Sequence, residues 1–539
     1  MRLNGPRASR AELVLLAALA AWGLVPLILL LVHAASLHAR LTGADGLIGA
    51  DGVLGADQLQ YLAWIRDASA HGLASDLFTL SPTGHVYLEP VFAISGALLH
   101  LGLSLPLAYL VWKPVAIVAM FAAAVAWARR AFGDRLAART AAVALSLFLY
   151  TPLAALVNWT QSGPGPFRFE IYQLAGELMA AGGLWGYVPG ALAFALVPVA
   201  LLAVERALDP GAARRAGTVS PSAGAGRPGR AVAVAAGASL LASWLHPWQG
   251  ITLVLILAGL AALRRLNGWL TLTLVAAAAA LPLGYYYLLP HIDPAWRLAS
   301  QYEQIGHLEG VVVLAGLGPL AIVAALGVRR PTGVFEQVLL LWVAACVVNY
   351  FVNDSFAPHA LQGLSLPLSV LIVRGWSRLR LPAVVGAAAI ALITLPGLAY
   401  DARKMARTFR SPLVQYYLPG PDARALDWIA LSAPAGGVLA PPSLALVVPS
   451  QTGRAVWVGH GYWSQDYLGR AQQVDTLMRG RMGLAQARAF VAGTGAALVV
   501  EDCGDRPDLG RVLGPLVASA HHFGCARVYV LHRARGPKP

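Results

Sequence analysis

The chain has 539 residues, 58% of them hydrophobic and only 12% charged, with a mean hydropathy of +0.62. Soluble domains carry about 25% charged residues, so this composition excludes a water-soluble globule. The net charge of +14 raises the question of a nucleic-acid ligand; its placement along the chain answers that no nucleic acid is involved.

Apolar runs of membrane-spanning length recur through the first 400 positions. Eleven spans are predicted, near 13–33, 105–128, 138–157, 184–204, 231–246, 248–263, 269–289, 310–328, 335–352, 357–373 and 381–400. The first follows Arg2, Arg7 and Arg10 and lacks a small-residue cleavage site, so it reads as a retained helix. With a cytoplasmic N-terminus, the inner segments before residue 401 hold nineteen arginines; the outer loops hold four, Arg40, Arg66, Arg168 and Arg297. That is the positive-inside asymmetry, and it makes the charge topogenic. An odd number of spans places the C-terminal segment outside. The expectation is a polytopic α-helical protein of the cytoplasmic (inner) membrane, residues 1–400, with an extracytoplasmic α/β domain over 401–539.

The first outer loop, 34–104, carries Gly-Ala-Asp three times, ending at Asp45, Asp51 and Asp57. Asp45 and Asp51 sit among glycines and read as loop residues. After Asp57, Leu59, Leu62 and Ile65, with Tyr61 and Trp64, form a stripe that predicts a helix along the membrane surface. Asp57 then sits at the helix start, where Gln60 completes a capping-box pattern. The same carboxylate, held at the bilayer surface, can act as a general base. Lys113, inside the second span, is a cation that could meet a lipid phosphate or snorkel to the interface.

The second outer loop, 158–183, holds Trp159, Gln161, Arg168, Glu170 and Glu177. Glu170, flanked by aromatic residues, is a candidate second carboxylate for a sugar hydroxyl or a metal; the alternative is an interfacial aromatic belt with solvated charges. The segment 209–230 is a flexible basic linker. Only 33 residues separate Arg230 from Arg264, whereas two crossings need about 40. The pair is therefore two short spans or a re-entrant hairpin. At its turn, "SWLHPWQG" offers His246, Trp248 and Gln249 as donors to a phosphate or sugar. Arg297 in the next outer loop suits phosphate oxygens, and "NDSFAPHALQG" adds Asp354 and His359.

The C-terminal segment alternates β-rich stretches, 436–440, 455–459, 496–500 and 526–531, with helical ones near 422–431, 466–478 and 485–492. Cys346 lies in a span as a small apolar residue; Cys503 and Cys525 either pair as a disulfide or stay as buried thiols. No Cys/His cluster has zinc-site spacing.

The order of these features resembles the GT-C fold membrane glycosyltransferases, a superfamily with oligosaccharyltransferases, protein O-mannosyltransferases and aminoarabinose transferases. The resemblance rests on "DQLQY", with Asp57 and Tyr61, on "EPVFAISGALLHLGLSLPLAYLV" and "RRAFGDRLAARTAAVALSLF", and in the C-terminal segment on "GRAVWVGHGYWSQDYLGR" and "ARAFVAGTGAALVVED". It implies transfer of a sugar from a polyprenyl-phosphate carrier, with inversion, to an envelope glycan, lipid or protein acceptor on the outer face. It places the base at Asp57 and assigns donor-phosphate contacts to cationic or polar groups, for which Lys113, His246 and Arg297 are the candidates. Gln58 stands where many members have a second acidic residue, which leaves a divalent metal open. Two other readings compete: a transporter or flippase of a lipid-linked substrate, and an inactive scaffold that binds glycans through "VWVGHGYWSQDY".

Overall fold

The computed structural model describes residues 9–46, 53–209, 228–302, 306–380, 382–504 and 508–532. Asp51 lies outside the described residues. The chain divides into two compact units, one of Met1–Val25, Trp112–Tyr287 and Gln304–Met405, the other of Pro26–Val111, Leu288–Glu303 and Ala406–Pro539.

The first unit is helical. Val188–Leu208 packs on Pro228–Leu245 and on Trp112–Phe132; Gly310–Leu326 packs on Ser365–Leu379, and Pro247–Leu263 on Val334–Val352. The helices Gly310–Leu326 and Ser365–Leu379 approach closely at Gly327 and Gly375. A Cβ on Gly327 would run into the Leu371 carbonyl, and one on Gly375 into the Val323 carbonyl. Small residues let helix backbones approach this closely where lipid supplies no hydrophobic drive.

Several arginines on the expected cytoplasmic side are held by carboxylates. Ser9 and Glu12 cap each other's backbone N–H in a capping box. Glu12 is fully buried and accepts from Arg139 at 2.7 Å, with Arg129 at 3.6 Å. Arg374 pairs bidentately with Glu336, at 2.7 and 2.8 Å, and Arg130 pairs with Glu205.

Across the described residues, six helices are long and apolar enough to cross a membrane: Arg10–Leu37, Leu105–Phe132, Val188–Leu208, Trp269–Ile292, Val334–Val352 and Ala383–Arg410. A seventh counts if Leu136–Phe148 and Pro152–Thr160, bent by 47°, form one span. The other predicted spans fall on shorter helices, among them Pro247–Leu263 and Gly310–Leu326. Proline and glycine breaks shorten them: the predicted 231–263 pair is split at His246-Pro247 into helices of 18 and 17 residues.

The second unit joins the first-loop residues to the C-terminal segment. Strand β1 (Arg40–Leu41) pairs antiparallel with β2 (Tyr417–Leu418). A four-stranded mixed sheet follows, from β3 (Val438–Leu439), β4 (Leu498–Glu501), β5 (Val517–Phe523) and β6 (Ala526–Leu531), in the order β3-β4-β6-β5. Leu439, Val499 and Tyr529 of this sheet pack with Val474, Leu477 and Val491 from the helices Tyr467–Met478 and Leu484–Thr494. Three of the four expected β stretches are strands. The fourth, 455–459, makes a single bridge at Val456, and β5 lies where no strand was expected. Its "VASAHHF" has only Val517 and Phe523 as large apolar residues and no buried position, so it lacks the apolar signal of a buried strand. Cys503 and Cys525 are joined by a disulfide, and Cys346 is a buried thiol.

Candidate functional site

The first-loop helix runs Val53–His71, so Asp57 lies in its second turn and not at its start. The capping-box reading of Asp57 and Gln60 is therefore corrected. The apolar stripe expected to face the membrane surface is covered by protein. Leu59, Leu62 and Ile65 are fully buried and Trp64 nearly so, in a helix packed on Pro90–His100 and Val448–Thr452. An apolar stripe reads the same whether it is to be covered by lipid or by protein, and here protein covers it.

Asp45 is a loop residue as expected, but a buried and clamped one. Gln58, fully buried, donates to the Asp45 carboxylate at 2.8 Å and accepts from the Asp45 N–H at 2.6 Å and the Gly46 N–H. Tyr416 donates from its hydroxyl to the Gly46 carbonyl at 2.6 Å. The first Gly-Ala-Asp is thus clamped by the residue next to Asp57, and the buried Asp45 belongs to that clamp.

Asp57 remains partly accessible, with 23% of its side chain exposed. It faces a buried histidine, His460, whose Nε2 is 3.6 Å from Asp57 Oδ1. His460 Nδ1 accepts from the Tyr462 N–H at 3.2 Å. That bond assigns the proton of the neutral ring to Nε2, aimed at Asp57. Ser464 fixes the turn: its hydroxyl accepts from the Gly459 and His460 N–H groups and donates to the Phe78 carbonyl at 2.8 Å.

Asp57, Tyr61 and Trp64 share one helix face by their i, i+4, i+7 spacing. Trp64 meets Tyr87 at 4.4 Å and, edge-on, Trp463 at 5.4 Å. Trp296 packs on Tyr87 at 4.7 Å and on Trp463 at 4.9 Å. Tyr61 stacks on Phe92 at 5.0 Å. Trp64, Tyr87 and Trp463 are buried, while Tyr61 and Trp296 keep part of their rings exposed. The "VWVGHGYWSQDY" stretch is therefore largely core, with His460 and Trp463 both inside, and not an open aromatic surface.

Two buried carboxyls stand on the same unit. Glu89 caps the helix Pro90–His100, accepting from the Phe92 N–H at 2.7 Å, and burial pushes its carboxyl up to about 8. Burial, reinforced by the nearby Asp293 charge, pushes Asp76 up to about 8. Asp293 caps Pro294–Tyr302 through the Ala295 and Trp296 N–H groups. Arg297, exposed on that helix, spends two donors on the carbonyls of Pro290 and His291.

The remaining candidates lie in the first unit. Lys113 is fully buried and donates to the Gly23 carbonyl at 3.2 Å, so it does not snorkel. Glu170 accepts from the Glu309 N–H at 2.6 Å. His246, Trp248, Gln249 and His359 come together. His359 holds Glu177 through Nδ1 at 3.0 Å, stacks on Phe356 at 3.9 Å and meets Trp248 edge-on at 4.9 Å. Gln362 donates to Glu177 at 2.7 Å, and Gln249 donates to the Gln362 carbonyl. Trp248 donates to the Ser355 carbonyl at 3.0 Å. His246 is fully buried, 5.5 Å between ring centres from His359, and neither ring nitrogen has a hydrogen-bond partner among the described residues. Phe356, at φ 49°, adopts the left-handed conformation that bulky residues avoid, directly before the turn that carries His359. Asp354 is exposed beside it.

His460 and Glu177 are the residues that sequence reasoning did not assign. The available signals were glycines flanking a histidine in "GHG", and a carboxylate in a loop otherwise read through Glu170.

No family model and no curated protein sequence matches the chain. Among solved structures, the chain is similar to ArnT from Cupriavidus metallidurans bound to undecaprenyl phosphate, at 16% identity and a TM-score of 0.48, covering 98% of this chain and 100% of that one. It is also similar to the archaeal oligosaccharyltransferase AglB from Archaeoglobus fulgidus, in complex with an inhibitory peptide and a dolichol-phosphate. That match has 12% identity and a TM-score of 0.44, covering 89% of this chain and 69% of that one. At these identities and scores the likeness assigns neither a substrate nor a catalytic residue to this chain.

Proposed function

We propose that this chain is an integral membrane glycosyltransferase that moves a sugar from a polyprenyl-phosphate carrier to an envelope glycan, lipid or protein acceptor. The observation that carries the proposal is the pairing of the half-buried Asp57 with the buried His460 beside an aromatic cluster. The apolar helices supply the membrane setting that a lipid-linked donor requires. The arginine asymmetry supports a cytoplasmic N-terminus and an outer C-terminal segment.

In the proposed reaction the acceptor hydroxyl attacks the anomeric carbon. The new C–O bond forms as the bond from that carbon to the phosphate oxygen breaks, with inversion. The hydroxyl proton passes to Asp57, and the carrier leaves as its phosphate. His460, whose Nε2 stands 3.6 Å from Oδ1 without a hydrogen bond, forms a polar wall beside the carboxylate. The partly exposed rings of Tyr61 and Trp296 offer faces for a sugar's CH surface. Charge developing on the leaving phosphate needs nearby donors. Arg297, on the unit that carries Asp57, is the candidate donor: two of its guanidinium N–H groups serve backbone carbonyls and a guanidinium has five.

The test is donor turnover by purified protein on a panel of polyprenyl-phosphate sugars, with and without added divalent metal. Asp57→Asn is expected to lower kcat by at least about a hundredfold, the scale of general-base catalysis, with thermal stability retained. Turnover equal to wild type in Asp57→Asn removes Asp57 from the chemistry. Binding of the donor lipid without turnover favours the flippase or scaffold reading.

A further inference from the structure

The C-terminal end of the first-loop helix carries a second constellation, unconnected with the proposed transfer. Asp67, His71 and His85 present one ligand atom each, all within 4.8 Å of one another. The Asp67 carboxylate is buried and its two oxygens are divided: His71 Nδ1 stands 3.0 Å from Oδ1, and His85 Nδ1 stands 2.9 Å from Oδ2. The two imidazoles stack at 3.9 Å with their outer edges in solvent, their side chains 50% and 39% exposed. Ser75 holds the carboxylate still, donating to Oδ2 from its N–H at 2.6 Å and its hydroxyl at 2.8 Å.

We infer that these three residues form a binding site for a divalent transition metal of the zinc class. Two imidazole nitrogens and one carboxylate oxygen are the donor set of three-ligand zinc sites, which leave a fourth position to water. Nitrogen donors select against calcium and magnesium, which take oxygen ligands. Bonds of about 2.0–2.2 Å at a tetrahedral angle put donor atoms roughly 3.4 Å apart. The two Asp67–imidazole contacts need to open by a few tenths of an ångström, and the three donor atoms, all within 4.8 Å of one another, need to gather on one carboxylate oxygen. Ser75 supplies the outer hydrogen bonds that orient a ligating carboxylate. The stacking points the same way: two rings that both turn Nδ1 to one carboxylate are already brought side by side. Sequence spacing hid the set, because Asp67 and His71 lie one turn apart on a helix while His85 arrives from the following loop.

The site is separate from Asp57. Ten residues of helix put about 15 Å between the two positions, so the metal does not touch the reacting atoms. What it joins is the loop after His71 to the helix that carries Asp57. Within that loop, Ala74 and Tyr87 exchange backbone hydrogen bonds, and Tyr87 packs on Trp64 and Trp296. The ion therefore acts as a clip that holds the loop bearing part of the aromatic cluster.

The experiment uses tag-free full-length protein, stripped with chelator and titrated with Zn²⁺, with Mg²⁺ and Ca²⁺ as comparison ions. Bound metal is counted after gel filtration, and thermal stability is followed in parallel. His71→Ala and His85→Ala are the variants, since both side chains are exposed and neither supports the core. The wild type is expected to retain one Zn²⁺ that each variant binds at least about tenfold more weakly, the lower end of what even an outer-shell change costs. Zn²⁺ should raise the wild-type melting temperature and leave those of the variants unchanged. Zinc retained equally by wild type and both variants, none retained by the wild type, or Mg²⁺ or Ca²⁺ bound instead, each overturns the assignment and leaves a hydrogen-bonded triad.

Discussion

Placing a second acidic residue beside Asp57, by Gln58→Glu, tests whether the first-loop clamp is real. In the wild type the Gln58 amide serves both ends of Asp45, donating to its carboxylate at 2.8 Å and accepting its N–H at 2.6 Å. Glutamate keeps the acceptor and replaces the donor by a second negative charge. The lost hydrogen bond to a charged group is worth ~1.5–3 kcal/mol. Two charges at that separation repel by ~6 kcal/mol at an effective dielectric of 20. The pair has a cheaper escape: taking up one proton at pH 7 costs a carboxyl of ordinary pKa ~4 kcal/mol. Protonation therefore wins, and it caps the loss at pH 7 near that value. Because the cost is a proton uptake, it shrinks as pH falls and nearly vanishes around pH 4. The assay is thermal unfolding of the detergent-solubilised protein from pH 4 to pH 8, variant beside wild type. The variant should melt well below wild type at pH 7–8 and converge with it at the acid end. A constant offset across the range, or none, would refute the clamp, and would mean that Gln58 and Asp45 do not meet.

Glu89→Gln keeps the helix-cap acceptor and removes a titrating group. The Glu89 carboxyl is raised to about 8 in the fold, so the native state holds a proton that the unfolded chain gives up near pH 4.5. Its contribution to stability is full below that point and is lost as pH rises through about 8. The variant should flatten part of the decline in melting temperature over this window; Asp76, raised likewise to about 8, and Glu501, raised by burial, contribute the rest with the same sign. Gly375→Ala drives a methyl group into the Val323 carbonyl of the neighbouring helix, and overpacking of this kind costs ~1–3 kcal/mol. Melting and detergent-resistant yield should both fall, whereas Gly386→Ala, with nothing near its Cβ, should be neutral. Reduction, or Cys525→Ser, opens a bridge with a sequence separation of 22, worth ~3 kcal/mol by loop entropy. Protease nicking within 503–525 should then speed up while the membrane helices stay protected.

How far sequence reasoning reached can be followed residue by residue. Six of the predicted spans coincide with helices long and apolar enough to cross a membrane, because hydrocarbon demands long apolar runs. Three strands of the sheet were legible because buried β-rich runs such as "ARVYVL" carry their own signal. His246, Trp248, Gln249 and His359 were singled out because polar side chains at an apolar turn need a reason. Their gathering around Glu177, Phe356 and Gln362 was not readable, since nothing local links residues 177, 246 and 359.

Asp57 shows the division most clearly. Its helix and its spacing to Tyr61 and Trp64 follow from local pattern, because helical periodicity is a property of neighbours in the chain. The burial of Leu59, Leu62 and Ile65 in protein, the clamp of Gln58 on Asp45, the approach of His460 and the meeting of His85 with Asp67 do not follow from it. Each is a contact between segments that share no local signal, and burial and partner choice arise only when those segments are packed together.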